Sequence, residues 1–135
     1  MNTMSIRLLA IVALLGTLAI AGCQSGASLA GPTWQWTAQP AAEAPDSYTI
    51  EFRTDGTVEI GADCNTLTGT YTVGIPLDLT IDVATPELAA CGDQSLDAAY
   101  LENLGQVSSY STDGGVLSLY FADEAGAMQF KSMGS

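Results

Sequence analysis

Histidine is absent from this 135-residue chain, and basic residues nearly are: Arg7, Arg53 and Lys131 stand against 15 acidic residues. Without histidine there is no Ser–His or Cys–His nucleophile pair and the commonest zinc ligand is missing. Lys131, the single lysine, is the only other side chain that could serve as a base of that kind. The shortage of Lys and Arg excludes nucleic acid as a partner, because gripping a phosphate backbone needs a cationic footprint. It also disfavours an electrostatic hold on anionic lipid head groups. All the acidic residues, Glu43 to Glu124, lie after residue 22, where only two basic residues remain, so that part carries a net charge of −13. Such a surface keeps a protein soluble, with tolerance of salt or metal as the lesser reading. Cysteine is scarce too, at Cys23, Cys64 and Cys91, with no C-x-x-C spacing that would signal a redox pair. No D-x-D-x-D-G loop is present to frame calcium, and we expect neither a metal nor another cofactor.

What is there begins with a targeting pattern. A short polar stretch with Arg7 leads into the apolar run Leu8 to Ile20, which ends in Ala21 and Gly22. Thirteen helical residues span about 20 Å, short of the roughly 30 Å of a bilayer's hydrocarbon, so a cleaved signal over residues 1–22 is favoured over a membrane-spanning helix. Ile20-Ala21-Gly22-Cys23 resembles a bacterial lipobox, in which the cysteine becomes lipidated. The expected partner is therefore a membrane, the cell membrane or an outer membrane, reached through acyl chains on Cys23. The domain would stand outside the cytoplasm. Residues 23–32, small and closed by Pro32, read as a flexible tether, and 33–131 as one domain.

That domain alternates as half-buried strands do. Trp34 and Trp36 share a face, as do Tyr48, Ile50 and Phe52, and as do Leu77, Leu79, Ile81 and Val83 opposite Asp78, Thr80 and Asp82. Thr54-Asp55-Gly56-Thr57 is a hairpin turn into a strand over Val58 to Ala62. Gly69 to Val73 is a further strand, with Gly74-Ile75-Pro76 turning into the next. Ser95 as N-cap, the stripe Leu96, Tyr100, Leu101 and Leu104, and Gly105 as the stop predict a helix of about ten residues. Val107 to Thr112, Val116 to Phe121 and Ala127 to Lys131 close the sheet, with turns at Asp113-Gly114-Gly115 and Glu124-Ala125-Gly126. The expected fold is α+β: a curled, mostly antiparallel sheet of about seven or eight strands, a partial barrel, with one helix packed across it.

In order, these elements resemble the META domain family, which takes in bacterial heat-shock lipoproteins of the HslJ type. The resemblance rests on Leu29 to Trp34, Phe52 with Asp55-Gly56 and Val58, Ala62-Asp63-Cys64-Asn65 with Gly69 and Tyr71, and Leu79 with Ile81. It continues through Thr85 with Ala89-Ala90-Cys91, Leu101 with Leu104, Tyr110, Leu117 with Leu119, and Gly126-x-Met128-x-Phe130. Members commonly carry Gly where Asp63 stands and Met where Ala89 stands. The resemblance implies an envelope or secreted domain with a curled sheet crossed by a helix, and an association with stress response, drug tolerance and motility.

Cys64 and Cys91 are the thiols that remain once Cys23 is lipidated, and an even pair in an exported domain reads as a structural disulfide. Closing that loop should stabilise the fold by roughly 3.5 kcal/mol in the chain-entropy model. Asn65 is expected to bond local backbone in a turn, with a ligand role as its alternative. Trp34, Trp36, Tyr71 and Tyr110 could line a ligand pocket in the curled sheet; for the two tryptophans, core packing is preferred. Asp63, Asp78 and Asp82 are the carboxylates that could converge as in a hydrolase, but strand alternation sends Asp78 and Asp82 to the polar face. We therefore expect no catalytic residues and no enzyme. The chain reads as an envelope lipoprotein with a protein-interaction or stress-related accessory role, envelope proteins being its other partners; a small-molecule binder is the alternative.

Overall fold

The computed structural model describes residues 28–37, 47–84 and 87–134. The signal, Cys23, the tether as far as residue 27 and Thr85 lie outside the described residues. Eight strands follow one another around a closed barrel: β1 (Thr33–Trp36), β2 (Tyr48–Phe52), β3 (Thr57–Ala62), β4 (Asn65–Gly74), β5 (Asp78–Val83), β6 (Val107–Asp113), β7 (Val116–Phe121) and β8 (Ala127–Ser132). Every pairing is antiparallel, and β1 closes on β8 through Trp34 opposite Ser132 and Trp36 opposite Phe130. One helix, α1 (Asp97–Gly105), joins β5 to β6.

Period-two patterning makes the barrel. Tyr48, Ile50 and Phe52 of β2 point inward, in register with Ala62, Ile60 and Val58 of β3, and all six are buried. The Asp55 carboxylate accepts the Thr57 N–H at 2.9 Å and its hydroxyl at 2.6 Å, while Gly56 supplies the positive φ the turn needs. These two hydrogen bonds also hold the Asp55 carboxyl below the usual carboxylate range. Gly114 and Gly115, both at positive φ, turn β6 into β7. An eight-stranded barrel is just wide enough for its own side chains, and Trp34, Phe52, Phe130, Ile50, Ile60, Leu79, Leu117 and Leu119 fill this one. Among the described residues, no buried side-chain polar atom lacks a hydrogen-bond partner.

The two ends differ. At one end Tyr100 and Leu104 of α1 are fully buried, with Leu96 and Leu101 half-buried beside them. At the other lie the β2–β3, β4–β5 and β6–β7 hairpins. The first described residues enter there: Leu29 is only 8% exposed, and the Gly31 N–H donates to the Phe52 carbonyl at 3.2 Å.

Four details differ from expectation. The fold begins before Thr33, because Leu29 enters the core and its carbonyl accepts the buried Trp34 indole N–H at 3.0 Å. β4 begins at Asn65, four residues before Gly69, where the sequence pattern starts it. Leu77 is left outside β5 and half exposed, since the β4–β5 turn occupies it. The helical N-cap position falls at Leu96, although the Ser95 hydroxyl still accepts the Asp97 N–H at 3.3 Å.

Candidate functional site

The most constrained polar cluster lies where the β3–β4 turn meets the loop before α1. Cys64 and Cys91 form a disulfide with Cα atoms 5.5 Å apart. Beside it, Asn65 clasps the loop with both ends of its amide: Nδ2 donates to the Ala89 carbonyl at 3.0 Å, and Oδ1 accepts the Ala89 N–H at 2.9 Å. The Asn65 expectation is thus corrected, its partner being 24 residues away rather than local. At the first position of β4 its backbone pairs with Ala62, which leaves the side chain to reach across to the loop. Tyr48 extends the clasp, accepting the Leu96 N–H at 2.8 Å and donating to Asp63 at 3.4 Å. Tyr48, Asp63 and residues 91–95 line a shallow cleft of about 230 Å³. Its lining carries the carboxyl groups of Asp63 and Asp93, the Tyr48 and Ser95 hydroxyls and the Gln94 amide. Among the described residues, no group of three or more His, Cys, Asp or Glu side chains is placed to hold a metal ion.

The four aromatic candidates share no described cleft. Trp34 is fully buried, with its N–H committed to Leu29. Trp36 lies at the helix end, 5.0 Å from the Tyr100 ring and 5.6 Å from the Tyr48 ring between centroids. Tyr71 packs edge-on against Phe52 at 5.0 Å and donates to the Arg53 carbonyl at 2.7 Å, toward the hairpin end. Burial raises the pKa of its hydroxyl. Tyr110 sits half-buried on β6, its N–H donating to the Leu77 carbonyl at 3.0 Å. What sequence missed is a cleft of about 250 Å³ at the mouth beside Trp36, walled also by Thr37, Asn103, Phe121, Ala127, Met128 and Gln129. Its walls come from four separate stretches of chain, so no local pattern announces it.

Charge does not converge either. Asp78 and Asp82 are exposed on β5, Asp78 at the hairpin end, while Asp63 lies in the β3–β4 turn at the opposite end. Arg53 bridges Glu51 at 3.3 Å and Glu59 at 2.8 Å, and the hydrogen bond to Glu51 is the largest cause of its raised pKa. All three side chains are well exposed, so the cluster adds little to stability.

No curated protein matches the chain. Two solved structures share the fold. One is a crystal structure of a DUF4847 family protein from Bacteroides vulgatus, at a TM-score of 0.62 and 16% identity, covering 76% of this chain and 93% of that one. The other is an NMR structure of a protein from Burkholderia xenovorans, at 0.59 and 16%, covering 77% and 83%. At such identity the likeness concerns the fold alone. The META domain model matches residues 27–134, nearly the whole of the described chain, and its start before Leu29 agrees with the burial of that residue. The chain belongs to the META domain family.

Proposed function

We propose that this is a lipid-anchored protein of the cell envelope whose barrel has a non-catalytic accessory role, engaging envelope proteins, with stress response as its setting. The carrying observation is the lipobox-like Ile20-Ala21-Gly22-Cys23 at the end of the apolar run Leu8 to Ile20. The barrel's composition supports the reading: a side-chain-filled interior and no histidine. The test is in-cell crosslinking of the tagged protein, with mass spectrometry of what it captures, beside Cys23→Ser. The expected result is membrane fractionation that Cys23→Ser abolishes, and a recurrent protein partner lost with it. Soluble behaviour of the unsubstituted protein would remove the anchor from the reading.

A small-molecule role is the second reading, favoured by the cleft beside Trp36. At about 250 Å³ and partly open it falls below the roughly 300 Å³ at which ligand pockets usually begin. A single small molecule co-purifying with the unsubstituted protein, and lost in Trp36→Ala, would move the assignment there.

A further inference from the structure

Seven large hydrophobic side chains are exposed among the described residues, and five of them sit at one end of the barrel: Val73, Ile75, Leu77, Val116 and Met133. The hairpin explains why. β4 pairs with β3 only as far as Thr70 opposite Thr57, and then runs on with β5 alone to Gly74. Its inward positions continue as Tyr71, which still packs against Phe52, and then as Val73, opposite Leu79 yet 49% exposed. The inward pattern thus runs on at Val73 past the packed interior. At the tip, Ile75 is 95% exposed. An isolated surface leucine needs no explanation, but a cluster does.

We propose that this end is a membrane-docking face, the tip Val73–Leu77 entering the head-group region of a zwitterionic lipid surface. The proposal rests on the lipid anchor proposed above. Ser28 lies at this same end, since Gly31 bonds Phe52 and Thr33 bonds Gly134. It lies five positions after Cys23, and a chain that short spans at most roughly 18 Å. The acyl chains therefore bring this end, and not the α1 end, against the lipid. Charge selects the kind of surface: Arg53 and Lys131 lie here, but so do Asp55, Asp78 and Asp113. Attraction to anionic lipid is thereby offset, and apolar insertion beside the anchor supplies the contact.

The test uses the full-length lipidated protein in phosphatidylcholine vesicles whose acyl chains are brominated. Ile75→Trp is compared with Glu102→Trp on the exposed side of α1, each read as the emission added to that of the unsubstituted protein. Docking predicts at least threefold stronger quenching of the tryptophan at position 75. Equal, weak quenching in protein that floats with the vesicles would overturn docking and leave the anchor standing. Protein that fails to float would remove both. Shielding of position 75 without vesicles, together with a doubled mass, would assign the patch to a second copy of the chain.

Discussion

Tyr100 is fully buried among Trp36, Tyr48 and Phe130, and its hydroxyl donates to the Thr49 carbonyl at 2.8 Å. Burial raises its pKa well above the ordinary value of about 10. Below pH 10 the folded and unfolded chains both hold this proton, so the group makes stability no function of pH. Above it the unfolded chain releases a proton that the fold retains, and stability falls by up to about 1.4 kcal/mol per pH unit for this group. Tyr100→Phe should cost about 1 kcal/mol at pH 7 through the lost hydrogen bond, yet lose stability less steeply between pH 10 and 11. Urea midpoints of both proteins at the three pH values check this; parallel curves would mean that Tyr100 ionises in the folded state. Asp63 is governed by backbone rather than charge. Its φ of +56° is costly for a residue with a Cβ, and Asp tolerates it better than most. Asp63→Gly should therefore stabilise the protein by about 0.5 to 1 kcal/mol, less whatever the 3.4 Å bond from Tyr48 contributes. An unchanged or lower urea midpoint would show that this bond matters more than the backbone.

Among the elements, strands that bury one face were legible in the sequence, because Ile50, Phe52, Val58 and Ile60 alternate with polar residues and the Asp55-Gly56 turn joins them. The ends of elements were less so. A turn-forming Asn65 argues for a strand that starts only at Gly69, yet the Ala62–Asn65 pairing across a two-residue turn makes Asn65 and Thr66 strand. Gly69 looked like a strand start; it is instead a close approach inside β4. A Cβ there would collide with the Asp82 carbonyl of the neighbouring strand, and backbone cannot yield cheaply. Gly69→Ala should cost about 3 kcal/mol or more, read from the urea midpoint. The loop before α1 has few apolar contacts, its residues 87–90 being exposed, so its position depends on the Cys64–Cys91 bond and the Asn65 clasp. Replacing both cysteines with serine should lower stability by about 3 kcal/mol. Asn65→Ala, with the disulfide intact, should cost about 1 to 2 kcal/mol through the two lost bonds to Ala89. If Asn65→Ala proves neutral, the covalent bond alone holds the loop.

At the scale of the whole molecule, the sequence indicated a curled sheet but not its closure. Closure depends on β1 finding β8 across nearly the whole domain, through three strand pairs and the flanking bonds of Thr33 to Met133 and Gly134 and of Thr37 to Gln129. Nor does local pattern tell a core leucine from one in a tether, and Leu29, flanked by small residues, carries no signal that it belongs to the fold. Closure is also uneven around the barrel. β2–β3, β3–β4 and β4–β5 share five or six residue pairs each, whereas β5 and β6 share one, Asp78 opposite Ser109, supplemented by the Tyr110–Leu77 bond. The α1 connection enters at this seam, and the burial of Tyr100 and Leu104 substitutes side-chain packing for missing ladder bonds. A barrel built this way should open there first, since local stability follows the bonds and contacts that must be broken. Native-state hydrogen exchange should therefore show the Tyr110 amide exchanging through an opening several kcal/mol below global unfolding, while amides on β3 and β7 exchange only with the whole fold. Uniform protection around the barrel would mean that the helix seals the seam as firmly as a full ladder. A protected Tyr110 amide in Tyr100→Ala would show further that the seam does not need the helix.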